Sequence, residues 1–158
     1  MRLTSFTNED YKNLYAFMRP LWLDTYGAFL PITQIELLLD KYFSESGISH
    51  YREEGYEYYA VLDDANNKVG VLVYQLRAEG LYIDKLYLVP SARGKGYPKE
   101  IFALLQARDK ALFLNVNQNN RRAVRCYEKN GFTIVKEERI ELGGGMVNVD
   151  YVMKKFSQ

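Results

Sequence analysis

The stretch from Leu81 to Pro98 reads L-Y-I-D-K-L-Y-L-V-P-S-A-R-G-K-G-Y-P, and its pattern predicts a strand, a turn and a helix in succession. The β-branched, aliphatic and aromatic residues before Pro90 are typical of a strand. A short basic turn, Arg93-Gly94-Lys95-Gly96, follows, and an apolar run, I-F-A-L-L, begins soon after Pro98. Glycines allow close approach of the backbone, and N–H groups at a helix N-terminus attract anions. The stretch therefore predicts a phosphate site.

The segments on either side of this stretch predict alternating strands and helices. Upstream, two strand-like runs flank the polar turn D-D-A-N-N-K and indicate an antiparallel hairpin. Downstream, two helices and three strands are predicted, with Gly131 ending the second helix. The predicted hairpin strands are Tyr56–Leu62 and Val69–Arg77; the downstream elements are a helix at Pro98–Arg108, a strand at Ala111–Val116, a helix at Asn120–Asn130, and strands at Thr133–Leu142 and Val147–Phe156.

The N-terminal third predicts one strand and two helices. Arg2–Phe6 is strand-like, and Thr7 with Asp10 forms a capping box that opens a helix. Pro20 predicts the end of this helix. Thr33 is the predicted N-cap of a second helix with apolar residues on one face. Together these elements predict one α/β domain over residues 1–158, with a mixed and largely antiparallel sheet.

Composition excludes several classes of protein. The chain has 158 residues, 47% hydrophobic and 26% charged, which suits a globular domain. Its net charge of +1 gives no electrostatic argument for nucleic-acid or membrane binding. One cysteine and an N-terminus without an apolar segment predict a cytoplasmic protein. No metal-ligand spacing occurs, so no metal site is predicted. The 14 tyrosines and 8 phenylalanines suit half-buried strands and pocket walls.

Two segments make the chain resemble the GNAT superfamily of N-acetyltransferases, in its small bacterial form. The first is L-Y-L-V-P from Leu86 followed by R-G-K-G from Arg93, which is similar to the family's fourth strand and pyrophosphate turn. The second is N-x-x-A-x-x-x-Y-x-x-x-G-F from Asn120 to Phe132, which resembles the helix after the family's fifth strand. The two segments lie in family order and at family spacing. The resemblance implies six or seven strands, flanked by helices and splayed between the fourth and fifth.

The resemblance implies an acetyl-CoA-dependent enzyme and a set of cofactor-binding residues. The backbone of Leu86, Tyr87 and Leu88 would pair with the pantetheine arm, and an amide near Leu88 would stabilise the oxyanion. Asn120 matches the family asparagine that binds the pantetheine or nearby backbone, although an asparagine opening a helix is also a common N-cap. The pyrophosphate would meet the turn made of Arg93, Gly94, Lys95, Gly96, Tyr97 and Pro98.

Tyr127 and Asp84 are the implied catalytic residues. Tyr127 matches the family tyrosine that protonates or orients the departing thiolate, and a phenol is protonated at neutral pH. A tyrosine on an apolar helix face is also a common core anchor. Asp84, in the fourth strand, is the candidate base that removes a proton from the amine. Glu79 is a second option, and a solvated carboxylate is the alternative for Asp84.

The acceptor of the acetyl group is implied only as a class. The resemblance implies direct transfer to a primary amine of a small molecule or a peptide, and a polyamine-like amine is one option. Trp22, Tyr26 and Phe29 fall where the family shapes its acceptor pocket, and an aromatic mini-core is the equal alternative. Small family members often form dimers through their last strands, so the resemblance leaves a homodimer open.

Pro98 is the chief departure from the family pattern, which has glycine or alanine at this position. Proline adds bulk and lacks an N–H where the backbone should approach a phosphate, but it is a favoured residue in the first turn of a helix. The predicted helix after the turn is also short. These departures leave a second hypothesis open, a catalytically degenerate module that binds acyl-CoA or a partner with the same fold.

Overall fold

A computed structural model of the chain describes residues 1–156, without the side chains of Leu142 and Met146. Strands and helices alternate along most of the chain, and a 3-10 turn at Pro90–Ala92 precedes the fourth helix. In chain order the elements are β1 Arg2–Ser5, α1 Asn8–Tyr26, α2 Ile32–Phe43, α3 Glu45–Glu53, β2 Glu57–Leu62, β3 Lys68–Arg77, β4 Gly80–Leu88, α4 Tyr97–Gln106, β5 Ala111–Asn117, α5 Arg121–Lys129, β6 Thr133–Gly143 and β7 Met146–Phe156.

The strands form one sheet of seven in the order β1-β2-β3-β4-β5-β7-β6. Four neighbouring pairs, β1–β2, β2–β3, β5–β7 and β6–β7, are antiparallel. β4 and β5 pair in parallel, with Leu81–Ile83 opposite Leu112–Leu114. Within the described residues this register ends at Ile83, although β4 runs on to Leu88. The predicted mixed sheet, splayed between its fourth and fifth strands, is confirmed.

The chain divides into two compact units. The first consists of residues 1–74 and 85–93, and the second of residues 75–84 and the chain from residue 94 on. In the first unit, α1 and α2 bury apolar side chains that include Leu14, Met18, Ile35 and Leu39. The core of the second unit includes Leu81, Ile101, Phe102, Leu112, Leu114 and Phe132. The single domain over 1–158 stays a prediction.

The helix α1 does not end at Pro20, so that prediction is wrong. It begins with the predicted capping box, in which the Asp10 amide donates to Thr7 Oγ1 at 3.2 Å and the Thr7 amide to Asp10 Oδ2 at 2.9 Å. It then passes through Pro20 and reaches Tyr26. Pro20 lies on the exposed face, where water can hydrate the carbonyl that loses its N–H partner. The buried residues Leu21 and Trp22 stabilise the last turns by burying apolar area.

The segment between Pro31 and Tyr56 holds two helices. α2 begins at Ile32 after an N-cap at Pro31, so Thr33 lies inside the helix and its predicted capping role is wrong. Proline at this position has φ −60° and ψ 146°, an extended conformation that enters a helix directly. Ser44 separates α2 from α3, and its Oγ accepts the Gly47 amide at 3.1 Å. The two helices carry the aromatic side chains that surround Lys85 in the first unit.

Candidate active site

The glycine turn opens α4 with two left-handed residues. Gly94 has φ +75° and Gly96 has φ +79°, a region that costs an L-residue about 1–2 kcal/mol. Gly96 is the N-cap of α4 and makes no side-chain cap, so the helix begins with exposed backbone. A Cβ atom at either glycine would meet no atom within 4 Å. The glycines are therefore required by backbone conformation, and the space above the turn is open.

The two basic residues of the turn differ in their partners. Arg93 Nη1 lies 3.0 Å from Asp24 Oδ2, and this ion pair ties the start of the turn to α1 within the first unit. The Arg93 amide donates to the Pro90 carbonyl at 3.2 Å, which closes the 3-10 turn. Lys95 lies between the two glycines and is exposed. Arg93 thus shares its charge with a carboxylate, whereas Lys95 extends toward solvent.

Pro98 occupies the first turn of α4, where its missing N–H removes no helical hydrogen bond. The Glu100 amide donates to the Gly96 carbonyl at 3.3 Å, so the helix is regular from its start. The turn fits the pyrophosphate of coenzyme A, because left-handed glycines, an open approach and a helix N-terminus favour an anion. Because Pro98 has no N–H, the turn offers a phosphate one hydrogen-bond donor fewer than it would with another residue at this position.

The predicted pantetheine strand is the second half of β4, which belongs to the first unit. Leu88 is buried, and Leu86 and Tyr87 are partly exposed. The backbone of β4 packs closely against β3, since a Cβ atom on Gly70 would lie 2.6 Å from the Tyr87 carbonyl oxygen. The Val89 amide donates to the Val69 carbonyl at 2.8 Å. The strand is therefore held by β3, and its role toward pantetheine stays a prediction.

Tyr127 lies on α5 in an aromatic cluster of the second unit. Its ring centroid is 6.1 Å from that of Phe102 and 5.6 Å from that of Phe132, and these two rings are fully buried. Tyr127 itself is only partly buried. The Tyr127 carbonyl accepts the Phe132 amide at 3.0 Å, which joins the end of α5 to the chain before β6. The structure thus anchors the ring while part of the side chain remains accessible.

Asn120 is the N-cap of α5, which was the alternative role predicted for it. Its Oδ1 accepts the Ala123 amide at 3.3 Å. The Asn120 amide also donates to the Asn117 carbonyl at 2.9 Å, and the Asn119 amide to Asn117 Oδ1 at the same distance. These bonds fix the turn that carries the chain from β5 into α5. The role of Asn120 toward the cofactor stays a prediction.

Asp84 and Glu79 occupy different environments in the second unit. Asp84 lies within β4 and is partly exposed, whereas Glu79 is exposed in the turn between β3 and β4. Side chains alternate along a strand, so Asp84 shares a face of β4 with Tyr82. The strand position favours Asp84 over Glu79, and its role as a base stays a prediction.

Trp22, Tyr26 and Phe29 form an aromatic cluster in the first unit, together with Tyr87. The Trp22 ring lies 5.0 Å from Tyr26 and 5.9 Å from Tyr87, and Tyr26 lies 5.6 Å from Phe29. The hydroxyl groups of Tyr26 and Tyr87 are 2.6 Å apart. Trp22 is 4% exposed, and its indole N–H has no acceptor among the described residues. The structure brings these predicted residues together, and their contact with a substrate stays a prediction.

A buried lysine, Lys85, is a feature that the sequence did not reveal. Its side chain belongs to the first unit and is 8% exposed. The Nζ atom lies 4.2 Å from the ring centroid of Tyr42, 5.6 Å from Tyr51 and 6.0 Å from Phe43. Aromatic faces attract a cation, most strongly when it is desolvated. The only signal in the sequence was the position of Lys85 on the same strand face as Leu81 and Ile83.

A hydrogen-bonded chain in the second unit was also missed. The Tyr82 hydroxyl donates to Asn115 Oδ1 at 3.2 Å, and Asn115 Nδ2 donates to Asp150 Oδ2 at 3.5 Å. Burial raises the pKa of the Asp150 carboxyl, the Asn115 hydrogen bond lowers it in part, and the charge of Glu138 raises it further. The available signal was an aspartate inside a strand, on the same face as the buried Val152.

The described residues contain neither a metal-binding cluster nor a membrane-spanning helix. No group of three or more His, Cys, Asp and Glu side chains is placed to hold a metal ion. None of the helices in the described part of the chain is long and apolar enough to cross a membrane.

Comparison with known proteins gives a family match and a set of similar folds. A sequence profile of the acetyltransferase (GNAT) domain matches residues 31–154. No curated protein matches the chain significantly.

Solved structures of N-acetyltransferases have the same fold at low sequence identity. The PaiA N-acetyltransferase from Thermoplasma acidophilum, in complex with coenzyme A, is 19% identical, with a TM-score of 0.76 over 98% of each chain. A GCN5-related N-acetyltransferase from Rhodopseudomonas palustris is 18% identical, with a TM-score of 0.75 over 98% of this chain and 94% of that one. The spermidine N-acetyltransferase from Vibrio cholerae, in complex with CoA and spermine, is 17% identical, with a TM-score of 0.66 over 99% and 95%.

Proposed function

The chain belongs to the GNAT acetyltransferase family, and from that premise we propose that it transfers an acetyl group directly to a primary amine of a small molecule or a peptide. Membership makes it an N-acetyltransferase with acetyl-CoA as cosubstrate. The observation that carries the proposal is the turn at the start of α4. Left-handed Gly94 and Gly96 there open the helix toward solvent without a side-chain cap.

The bound cosubstrate supplies an acetyl thioester, and the residues of this chain position it and manage protons. In the proposal the backbone from Gly94 to Tyr97 binds the pyrophosphate, and Lys95 adds positive charge. Asn120 contributes to cofactor binding through its side-chain Nδ2, because Oδ1 already accepts the Ala123 amide. A strand amide near Leu88 stabilises the negative charge on the acetyl oxygen.

Tyr127 donates a proton to the departing sulfur in this proposal. Its ring packs on Phe102 and Phe132, so the position of the phenol is set by the core. A phenol is protonated at neutral pH and can act as a donor. A general acid of this kind contributes roughly 10²-fold or more to turnover. Asp84 remains the sequence-based candidate for the base.

Trp22, Tyr26 and Phe29 contribute to acceptor binding in the proposal. The buried indole N–H of Trp22 lacks an acceptor among the described residues, and a buried donor without a partner costs about 1–3 kcal/mol. A carbonyl oxygen of a bound peptide would satisfy it, as would a water molecule, whereas a polyamine has no oxygen to do so. Spermine in the complex of the Vibrio cholerae enzyme makes a polyamine one acceptor to test here.

Two measurements test the proposal. Thermal-shift titration with acetyl-CoA and with CoA should raise the melting temperature, by an amount equivalent to about 2.7 kcal/mol when the ligand is at 100 times its dissociation constant. Thiol release with acetyl-CoA is then measured on n-butylamine, 2-phenylethylamine, spermidine and a peptide with a free N-terminus. Turnover on at least one amine is expected. Stabilisation without thiol release on any amine would support the degenerate module, and no stabilisation would contradict both hypotheses.

Location and assembly belong to the same proposal. The single cysteine is compatible with a reducing cytoplasm, where we place the protein. A homodimer through the last strands stays a prediction, and light scattering of the purified chain would give its mass directly.

A further inference from the structure

The chain of hydrogen bonds from Tyr82 through Asn115 to Asp150 crosses three strands of the second unit. Tyr82 lies on β4, Asn115 on β5 and Asp150 on β7. The central amide uses both of its polar ends, since Oδ1 accepts from Tyr82 and Nδ2 donates to Asp150. A side chain held at both ends has one preferred orientation. The three residues thus fix a carboxylate and a phenol on one face of the sheet.

The position of Asn115 connects this chain to the parallel strands. The parallel register pairs Leu81–Ile83 with Leu112–Leu114, and Asn115 is the next residue of β5. In open α/β sheets, ligands bind outside the carboxyl ends of parallel strands, at a crevice where neighbouring strands diverge. Asn115 therefore lies at the carboxyl end of the only parallel pair among the described strands. Asp150, which Asn115 binds, lies opposite Asn117, two residues further along β5.

The environment of Asp150 makes it a better proton acceptor than an ordinary aspartate. Burial is the main cause that raises the pKa of this carboxyl, and the nearby charge of Glu138 adds to it. Glu138 lies opposite Asp150 in the pairing of β6 with β7. A carboxylate whose pKa moves toward neutral holds a proton more strongly, and remains ionised above that pKa.

Other charged and titratable groups share this face with Asp150. Glu138 pairs with Lys136 on β6 at 3.6 Å. Cations also lie over aromatic rings: Arg77, on β3, is 3.9 Å from the Tyr82 ring centroid, and Lys154, on β7, is 5.8 Å from that of Phe113. The groups to consider in any pH dependence are therefore Tyr82 and Asp84 on β4, Arg77 on β3, Lys136 and Glu138 on β6, and Lys154 on β7.

We propose that Asp150 binds the acceptor ammonium and accepts its proton, while Asn115 and Tyr82 act as positioning residues. This inference rests on the proposed function. One proton passes from the ammonium to the Asp150 carboxylate, which leaves a neutral amine. Its lone pair forms the C–N bond with the acetyl carbon, and the C–S bond breaks. Tyr127 gives its proton to the sulfur and regains one from the nitrogen, and Asp150 releases its proton to solvent, so one ammonium and one thioester give an amide, a thiol and a proton.

Thiol release across pH tests this assignment on the full chain, with acetyl-CoA and the fastest amine of the panel. The wild-type protein should lose kcat/KM as the pH falls through the raised pKa of Asp150. This loss of kcat/KM at low pH is the acid limb of the pH profile. Asp150→Asn should lower kcat/KM about a hundredfold and remove the acid limb. Thermal shift with CoA shows whether that variant is folded. The comparison variant is Asp84→Asn, which removes the sequence-based candidate for the base and should keep the acid limb if Asp150 is the base.

Two neighbouring variants should move the acid limb in opposite directions. Glu138→Gln removes a charge that raises the pKa of Asp150, so the limb should shift to lower pH. Asn115→Ala removes a hydrogen bond that lowers this pKa, so the limb should shift to higher pH. A structural role for Asp150 would produce neither shift.

Three results would overturn the assignment. The acid limb would be retained in a folded Asp150→Asn variant, it would disappear in Asp84→Asn, or it would stay in place in both neighbouring variants. If Asp150→Asn is unfolded, the two neighbouring variants decide the matter alone. Failure of the wild-type chain to turn over any amine would remove the proposed function and this inference with it, whereas wild-type turnover with an unaltered pH profile in the variants would remove this inference alone.

Discussion

Two aromatic clusters, one in each unit, use their polar groups differently. In the second unit, the ring of Tyr127 packs against the purely apolar rings of Phe102 and Phe132. In the first unit, the hydroxyls of Tyr26 and Tyr87 meet at 2.6 Å, and the rings near them include the buried Trp22. One cluster positions a single hydroxyl, and the other joins two hydroxyls to each other.

The difference separates a proposed proton donor, Tyr127, from residues whose proposed role is to bind the acceptor. Tyr127 is the proposed proton donor and the core anchors its ring, whereas the hydroxyls of Tyr26 and Tyr87 bind each other. The first unit adds a cation to its rings, because the Lys85 ammonium lies against Tyr42. We therefore expect substitutions at Tyr127 to change turnover, and substitutions in the first unit to change the free energy of unfolding.

Replacement of the Tyr127 phenol should have the largest effect. Tyr127→Phe removes the hydroxyl and keeps the ring that packs on Phe102 and Phe132. We expect kcat to fall about a hundredfold, with unchanged affinity for CoA. Thiol release measures kcat, and calorimetry measures CoA binding.

Phe102→Leu is the control for Tyr127→Phe, because it weakens the ring packing and leaves the hydroxyl. It should lower stability more than Tyr127→Phe does. Wild-type turnover in Tyr127→Phe would make Tyr127 a core anchor and remove the contrast between the clusters.

Removal of the Lys85 charge should have the next largest effect. Lys85→Met keeps a long apolar side chain and removes the ammonium beside Tyr42, Tyr51 and Phe43. A desolvated cation–π contact is worth about 2 kcal/mol, so the free energy of unfolding should fall by about this amount. Urea denaturation measures it.

Lys41→Met is the matched control, since Lys41 is exposed and its Nζ lies 5.4 Å from the centroid of the same Tyr42 ring. An exposed contact of this kind contributes about 0.5 kcal/mol. Equal losses in the two variants would show that burial adds nothing to the Lys85 contact.

The sequence predicted the parts of the site that neighbouring residues determine. A left-handed glycine turn and an N-cap depend on a few consecutive positions, so Gly94, Gly96 and Asn120 could be interpreted locally. The extension of α1 past Pro20 could not, because it depends on the burial of Trp22, to which distant residues contribute. The same reason applies to Lys85.

Lys85 and Asp150 show most clearly what could not be predicted from the sequence. Each is a charged residue inside a strand, and strand alternation alone does not say what covers its face. The rings around Lys85 come from α2 and α3, more than 30 positions away in the chain. Asn115, which binds Asp150, lies 35 positions before it. Tertiary packing therefore decided both environments.

Loss of the Asn120 cap should have a smaller effect, which acts on the helix that carries Tyr127. Asn120→Ala removes the acceptor of the Ala123 amide, and we expect a loss of about 1 kcal/mol in the free energy of unfolding. Because α5 carries Tyr127, kcat should fall as well. Asn120→Ser is the control that keeps a cap. A serine variant with wild-type stability but weaker CoA binding would assign Asn120 to the cofactor; wild-type values of both in Asn120→Ala would remove it from both roles.

Removal of the paired hydroxyls should have the smallest effect, and it tests directly whether Tyr26 and Tyr87 stabilise each other. Tyr26→Phe and Tyr87→Phe each leave one hydroxyl without the other, and each should cost about 1 kcal/mol in the free energy of unfolding. The double variant replaces both partners by apolar groups, so it should cost no more than either single variant.

Urea denaturation of the wild type and the three variants closes the thermodynamic cycle, with an expected coupling of about 1 kcal/mol. Additive losses would mean that the two hydroxyls stabilise the fold independently. Because neither tyrosine is expected to act as an acid, kcat should differ from wild type by less than it does in Tyr127→Phe. A larger loss of kcat in Tyr26→Phe would place the proton donor in the first unit and reverse the comparison between the two clusters.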